Sequence, residues 1–292
     1  MSIPLPCKNV LVAILTGSAL SFVGAASAAP FAFSTGNPDG RIATLSRPTS
    51  SGTIQTETAD DFVLGQTTQL THATFTGLLP AGSSLSSVTR VEIEFYHVFP
   101  GDSANPPSGN VPTRVNSPGD VEIGSATRDS SDGSLSFIAS LLNPTFSASN
   151  SVVNGIHRLP NNFTGGEGPV RGEEVLFSVT FTSPVDLAAD HYFFRPEVLT
   201  SSGDFLWLSA SKPIVAPGTP FTPDLQSWMR NDDLAPDWLR IGTDITHQGP
   251  FNAAFSLDGT TVPVPEPGSY ALMLAGLAMV GAAMRRRTRE PK

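Results

Sequence analysis

Apolar and polar positions alternate with a period of two along much of the middle of the chain. Val91-Glu92-Ile93-Glu94-Phe95 places its apolar residues on one side and its acids on the other, which predicts a strand with one wet face. Val175, Phe177, Val179 and Phe181 share a side in the same way, and so do Phe251, Ala253, Phe255 and Leu257. Shorter strand candidates cover 61–64, 70–75, 192–195 and 205–209. Asp132-Gly133, between 121–127 and 134–138, reads as a hairpin turn. One stretch has helical spacing: Leu225, Trp228 and Met229 follow Pro223-Asp224 and predict a short helix ending before Pro236. Two segments rich in Pro, Gly and Asn, 100–118 and 143–169, are expected as long surface loops. No internal repeat is apparent. The expected fold is all-β, a β-sandwich body with one short helix.

Both ends of the chain depart from this pattern. Lys8 precedes an apolar run from Val10 to Ala26, and Ala26-Ser27-Ala28 has the small residues of a cleavage site. Residues 1–28 therefore read as a signal peptide, cut after Ala28 by signal peptidase. The run is short of the ~20 residues of a membrane anchor. At the other end Val262-Pro263-Val264-Pro265-Glu266-Pro267 is a stiff proline segment. Gly268 to Met284 is uncharged and apolar, about 25 Å long as a helix at ~1.5 Å per residue. Arg285, Arg286, Arg287 and Arg289 follow it, and by the positive-inside rule they hold the C-terminus in the cytoplasm. The expected organisation is a signal peptide (1–28), a β-sandwich body (29–261) and a C-terminal segment (262–292) with a single apolar helix set in the inner membrane.

Charge separates these parts further. Residues 30–265 carry eleven Lys and Arg against twenty-four Asp and Glu, a net −13, while the tail from residue 266 is +3. An acidic body excludes nucleic acid as a partner, because phosphate binding depends on clustered Lys and Arg. The single cysteine, Cys7, lies ahead of the apolar run, so the exported body has no disulfides and must be stabilised by core burial.

Val264-Pro265-Glu266-Pro267, then an apolar helix, then an arginine cluster, resembles the PEP-CTERM sorting signal of Gram-negative bacteria. The resemblance covers about residues 262–292. It implies recognition at Pro265-Glu266-Pro267 by an exosortase, transient anchoring, cleavage, and release or attachment at the cell surface, often among exopolysaccharide. The body is also similar to a type of domain carried by such proteins. The similarity rests on 59–62, 189–196, 224–244 and 251–257, and implies a jelly-roll-like sandwich with no catalytic residue.

Motifs for chemistry are sparse. No Gly-x-Ser-x-Gly elbow, His-Glu-x-x-His helix, phosphate-binding loop or dinucleotide fingerprint occurs. His97, at a strand end, is expected at or near the surface. Asp60 and Asp61 are candidate calcium ligands, since calcium prefers several carboxylates on loops; turn and cap roles compete. Trp207 lies in an apolar run and is expected in the core, whereas Trp228 and Trp238 flank an acidic loop and are the open candidates for stacking on sugar rings. The expected function is non-enzymatic: an exported surface or matrix-associated protein sorted by an exosortase. The alternative is a carbohydrate-binding module or glycan-active enzyme with the same tail.

Overall fold

Aromatic and β-branched residues at alternate positions favour a pleated, half-buried surface, and fourteen strands form among the described residues. In chain order they are β1 (Pro30–Ser34), β2 (Pro38–Leu45), β3 (Thr56–Leu64), β4 (Thr68–Pro80), β5 (Val88–His97), β6 (Arg128–Asp129) and β7 (Leu135–Ala148). Then come β8 (Asn150–Val152), β9 (Val170–Leu187), β10 (Asp190–Thr200), β11 (Leu206–Ala210), β12 (Trp228–Asn231), β13 (Leu239–Arg240) and β14 (Phe255–Thr261). One α-helix, α1 (Pro267–Arg287), follows. The computed structural model describes residues 28–50, 52–99, 106–154, 156, 164–211, 224–263 and 267–287. The signal peptide with Ala26, the segment Val264, Pro265 and Glu266, and Arg289 lie outside the described residues; Ala28 is the first described.

The strands make two sheets. In the eight-stranded sheet β4 is the hub. One of its edges carries β9, which in turn pairs β7; the other carries β14 and then β11, leading to β1 and to β2 and β8 respectively. Pairing is antiparallel except between β2 and β8. β1 pairs β14 over its whole length, Pro30 opposite Thr260. The six-stranded sheet runs β13-β12-β3-β10-β5-β6.

Both sheets contribute to one main core. Phe62, Phe95, Tyr192 and Phe194 of the six-stranded sheet join Phe75, Phe177, Phe255 and Leu257 of the eight-stranded sheet. Phe194 stacks on Phe255 across the layers at 5.0 Å between centroids, and within the eight-stranded sheet Phe75 stacks on its cross-strand neighbour Phe177 at 4.8 Å. Trp207 is fully buried as expected, its Nε1 donating to Ala254 O at 2.9 Å. Gly77 is required here. A Cβ at that position would stand 2.2 Å from the Phe205 ring, which is wedged against Phe75 and Phe177.

Several expectations from the pattern need correction. The stretch 225–229 is not helical: β12 runs Trp228–Asn231 and pairs with β3, Trp228 opposite Ala59. Trp228 and Met229 enter different apolar clusters, as neighbours on a strand do. The region's helical turn is instead a π turn at Ile241–Ile245. Asp132-Gly133 does turn the chain, with Gly133 at φ 79° and Asp132 Oδ1 accepting from Ser134 N. It is not a hairpin, however: β6 pairs β5 and β7 pairs β9, so the turn passes from one sheet to the other. None of 121–127 is strand; β6 begins just after it, at Arg128. Part of the loop expected over 143–169 belongs to β7 and β8. In 106–118 the residues Val111, Arg114 and Ser117 are buried, so this part covers a surface rather than projecting from one.

Candidate functional site

What 106–118 helps to cover is the outer face of the six-stranded sheet. There Ala59, Tyr96, Val98, Phe193, Leu225, Trp228 and Trp238 form a second apolar cluster. Alternation on β3, β5, β10 and β12 brings charged residues to this same face: Glu57, Glu94, Arg195, Glu197 and Arg230. The wet face expected for Val91–Phe95 is thus covered: Glu94 is 8% exposed, and Glu57, Arg195 and Glu197 are buried too.

These groups form one network. Arg195 Nη2 lies 3.0 Å from Glu57 Oε1 and also contacts Glu94, while its Nη1 lies 2.7 Å from Glu197 Oε2. Arg230 pairs with the other oxygen of Glu57. Tyr96 OH donates to Glu94 Oε2 at 2.6 Å and lies 3.1 Å from Glu57 Oε1, and Gln55 donates to Glu197 at 3.0 Å. Three carboxylates therefore face two guanidinium groups. Burial raises Glu197, Arg195 opposes it, and Glu57 adds repulsion, so its carboxyl is pushed up to about 7. Burial likewise takes Glu92, beside them, up to about 7 against the pull of Arg195 and Arg90. Glu57, despite its burial, is held below the ordinary carboxylate range by the charges of Arg195 and Arg230. Local pattern missed this network because charged residues in alternation look the same whether water or another segment covers them.

Asp60 and Asp61 sit inside β3, not on a loop. As strand neighbours they point to opposite faces, and each is already engaged. Asp60 accepts from Ser227 Oγ and Ala253 N, both at 2.9 Å, and burial, with the charge of Asp61, raises its carboxyl well above the usual range. Asp61 Oδ2 lies 2.6 Å from His191 Nε2, and its Oδ1 accepts from Leu225 N. The expected calcium pair is corrected: the two carboxylates diverge, and among the described residues no group of three or more His, Cys, Asp or Glu is placed to hold a metal. His97 is exposed, as expected, and pairs with Asp190 at 3.0 Å.

Trp228 and Trp238 are each 1% exposed, which corrects their reading as open stacking surfaces. Trp238 meets Tyr96 edge-on at 5.5 Å, Arg230 lies 4.3 Å over its ring, and its Nε1 donates to Gly119 O. Trp228 stands behind a cavity of about 550 Å³ that Thr113, Asn116, Leu225, Gln226 and Arg240 also line. Among the described residues its buried Nε1 has no hydrogen-bond partner. Gln226 is held by Thr243, and Arg240 by both oxygens of Asp244. The structure thus places Trp228 and Asp61 near the same loop start, Leu225.

The C-terminal segment is a separate matter. β14 ends at Thr261, and Val262 N donates to Thr67 O at 2.8 Å. α1 then begins at Pro267, whose fixed φ and missing N–H suit a first helical position. Its apolar residues go all round rather than along one stripe, and Leu274, Leu277, Met279 and Val280 are exposed. The helix expected from Gly268 to Met284 is present. Its expected membrane span is not met: among the described residues no helix is long and apolar enough to cross a membrane. Ser269 and Tyr270 at one end and Arg285 to Arg287 at the other limit the apolar stretch to 271–284. That is about 21 Å at ~1.5 Å per residue, against the ~30 Å of a hydrocarbon core.

Comparison with known proteins bears on this segment alone. No curated protein and no solved structure matches the chain. Residues 263–287, spanning Pro263 through α1 and its arginines, match the PEP-CTERM protein-sorting motif, the mark of a secreted protein handled by an exosortase.

Proposed function

We propose that the chain is a non-enzymatic, exported protein of the cell surface or extracellular matrix, anchored briefly at the inner membrane through its C-terminal sorting segment and cleaved by an exosortase near Pro265-Glu266-Pro267. The observation that carries this reading is the sorting-motif match over 263–287, to which the sequence adds a cleavable leader and a body of net −13. In this proposal the arginines that end α1 stay on the cytoplasmic side, the short apolar stretch being met by local thinning of the bilayer, and the body is a jelly-roll-like sandwich delivered outside. Mass spectrometry of surface or secreted material is expected to find a C-terminus near Pro267 and no peptide containing Arg285. Recovery of the intact tail in mature protein refutes the sorting proposal.

One observation favours a second reading, a carbohydrate-binding module: the cavity beside Trp228, with the carboxamides of Asn116 and Gln226 on its wall. Glycan-array binding that is lost in Gln226→Ala supports it, and an array without signal removes it.

A further inference from the structure

The two sheets end differently at their margins. β1, β8, β13 and β6 are short, with five, three, two and two residues. β7 has fourteen, and among the described residues it pairs only with β9. Its last residues lean on β2, where Gly40 O accepts from Ser149 N at 2.8 Å, so the open edge is the first part, 135–143.

This edge lacks the features that keep sheet edges apart. Short strands, charged side chains and edge lysines blunt such edges; here no residue from Gly133 to Ile156 carries a charge. Phe137 and Ala139 pack against the main core, so Ile138 points to the opposite face, where it is 69% exposed; Leu142 is 52% exposed. The first irregularity in the β7–β9 register comes only after Leu141. Pro144 lies just beyond, where it removes an N–H and limits further pairing.

We propose that this edge pairs with the same edge of a second copy of the chain, antiparallel about a two-fold axis. The strand's lack of charge suits that occupant. Bodies of net −13 repel one another, which opposes pairing elsewhere on their surfaces, and this charge-free strand is where two copies meet without facing carboxylates. A charged partner strand finds no counter-charge on β7, whereas β7 itself is an uncharged, apolar match. Antiparallel self-pairing also joins the two eight-stranded sheets and closes the assembly, because both open edges are used.

The test uses the full chain in mild detergent. Sedimentation is expected to show a dimer that dissociates on dilution. Ile138→Lys and Leu142→Lys are expected to give monomers at every concentration, with a melting temperature that matches the unaltered chain only in dilute samples, where both are monomeric and the exposed side chains carry no fold contact. In the unaltered chain, amides in 135–141 are expected to exchange about 10-fold more slowly in concentrated than in dilute samples. A chain that stays monomeric, with edge amides exchanging at one rate throughout, overturns the proposal and leaves the edge to a different protein. So does a dimer that survives Ile138→Lys, which places the contact elsewhere, such as on α1.

Discussion

Replacing Glu197 by glutamine tests whether the buried network holds a proton at neutral pH. Its carboxyl titrates at about 7 in the folded chain, against 4.5 when unperturbed, because burial and Glu57 outweigh Arg195. The folded state therefore binds a proton that the unfolded state has released. A raised folded value contributes stability that is complete below about pH 4.5 and is lost as pH rises toward and through 7. Between pH 5 and pH 8 that loss amounts to about 2.5 kcal/mol for one group shifted this far. Glutamine keeps the shape and the contact with Gln55 but cannot ionise. Urea unfolding at both pH values should show the unaltered chain losing about 2.5 kcal/mol more than Glu197→Gln on going from pH 5 to pH 8. Glu57, whose value is lowered, acts with the opposite sign and at lower pH, outside this window. Asp60 is raised in both proteins and cancels in the difference, whereas the charge of Glu92 helps to raise Glu197, so the difference reports the titration of Glu197 together with its coupling to Glu92. Equal pH dependence in the two proteins would show that Glu197 is ionised throughout and that the three-to-two charge reading is mistaken.

Two further outcomes follow from packing. Gly77→Ala drives a methyl group into the Phe205 ring and should destabilise the body by about 1–3 kcal/mol, the usual range for overpacking; a neutral result in thermal unfolding would mean that Phe205 has room to move. Asp61→Ala leaves His191 Nε2 and Leu225 N without their shared acceptor and should cost about 2–5 kcal/mol. Asp61→Asn, which keeps an acceptor, should cost clearly less, and equal losses for the two would argue against the hydrogen bonds as the cause.

Where burial follows from a strand's own alternation, the sequence was a sound guide. Val175, Phe177, Val179 and Phe181 all lie in the core, as do Phe251, Ala253, Phe255 and Leu257. The errors gather where a distant segment decides the environment. Glu94 alternates as a solvated strand residue does, yet 106–120 and the turns after β12 lie over it. Trp228 has helical spacing to Leu225, but the hydrogen bonds offered by β3 make it a strand residue. Asp60 and Asp61 looked like ligands because a single chain does not reveal that Ser227, Ala253, His191 and Leu225 take up their oxygens. The tail was legible for a different reason: its proline segment, apolar run and arginines are contiguous and need no tertiary partner to be recognised. What local pattern overstated there was length, since Ser269 and Tyr270 shorten the apolar stretch.

The pairing of β1 with β14 sets an order of events. Pro30 meets Thr260, so among the described residues the first strand of the body has no partner until the last has been made and has joined β4. Closing a loop of that length is entropically slow compared with local pairings. A chain delivered N-terminus first would therefore hold β1 unpaired through nearly all of its passage. The seam would zip only as Thr261 arrives, with Ala29 O accepting from Thr261 N at 2.8 Å as its final link. Completion of the body and presentation of the segment at 263–287 then coincide, so that a truncated or stalled chain would lack both the last strand and the means to be sorted.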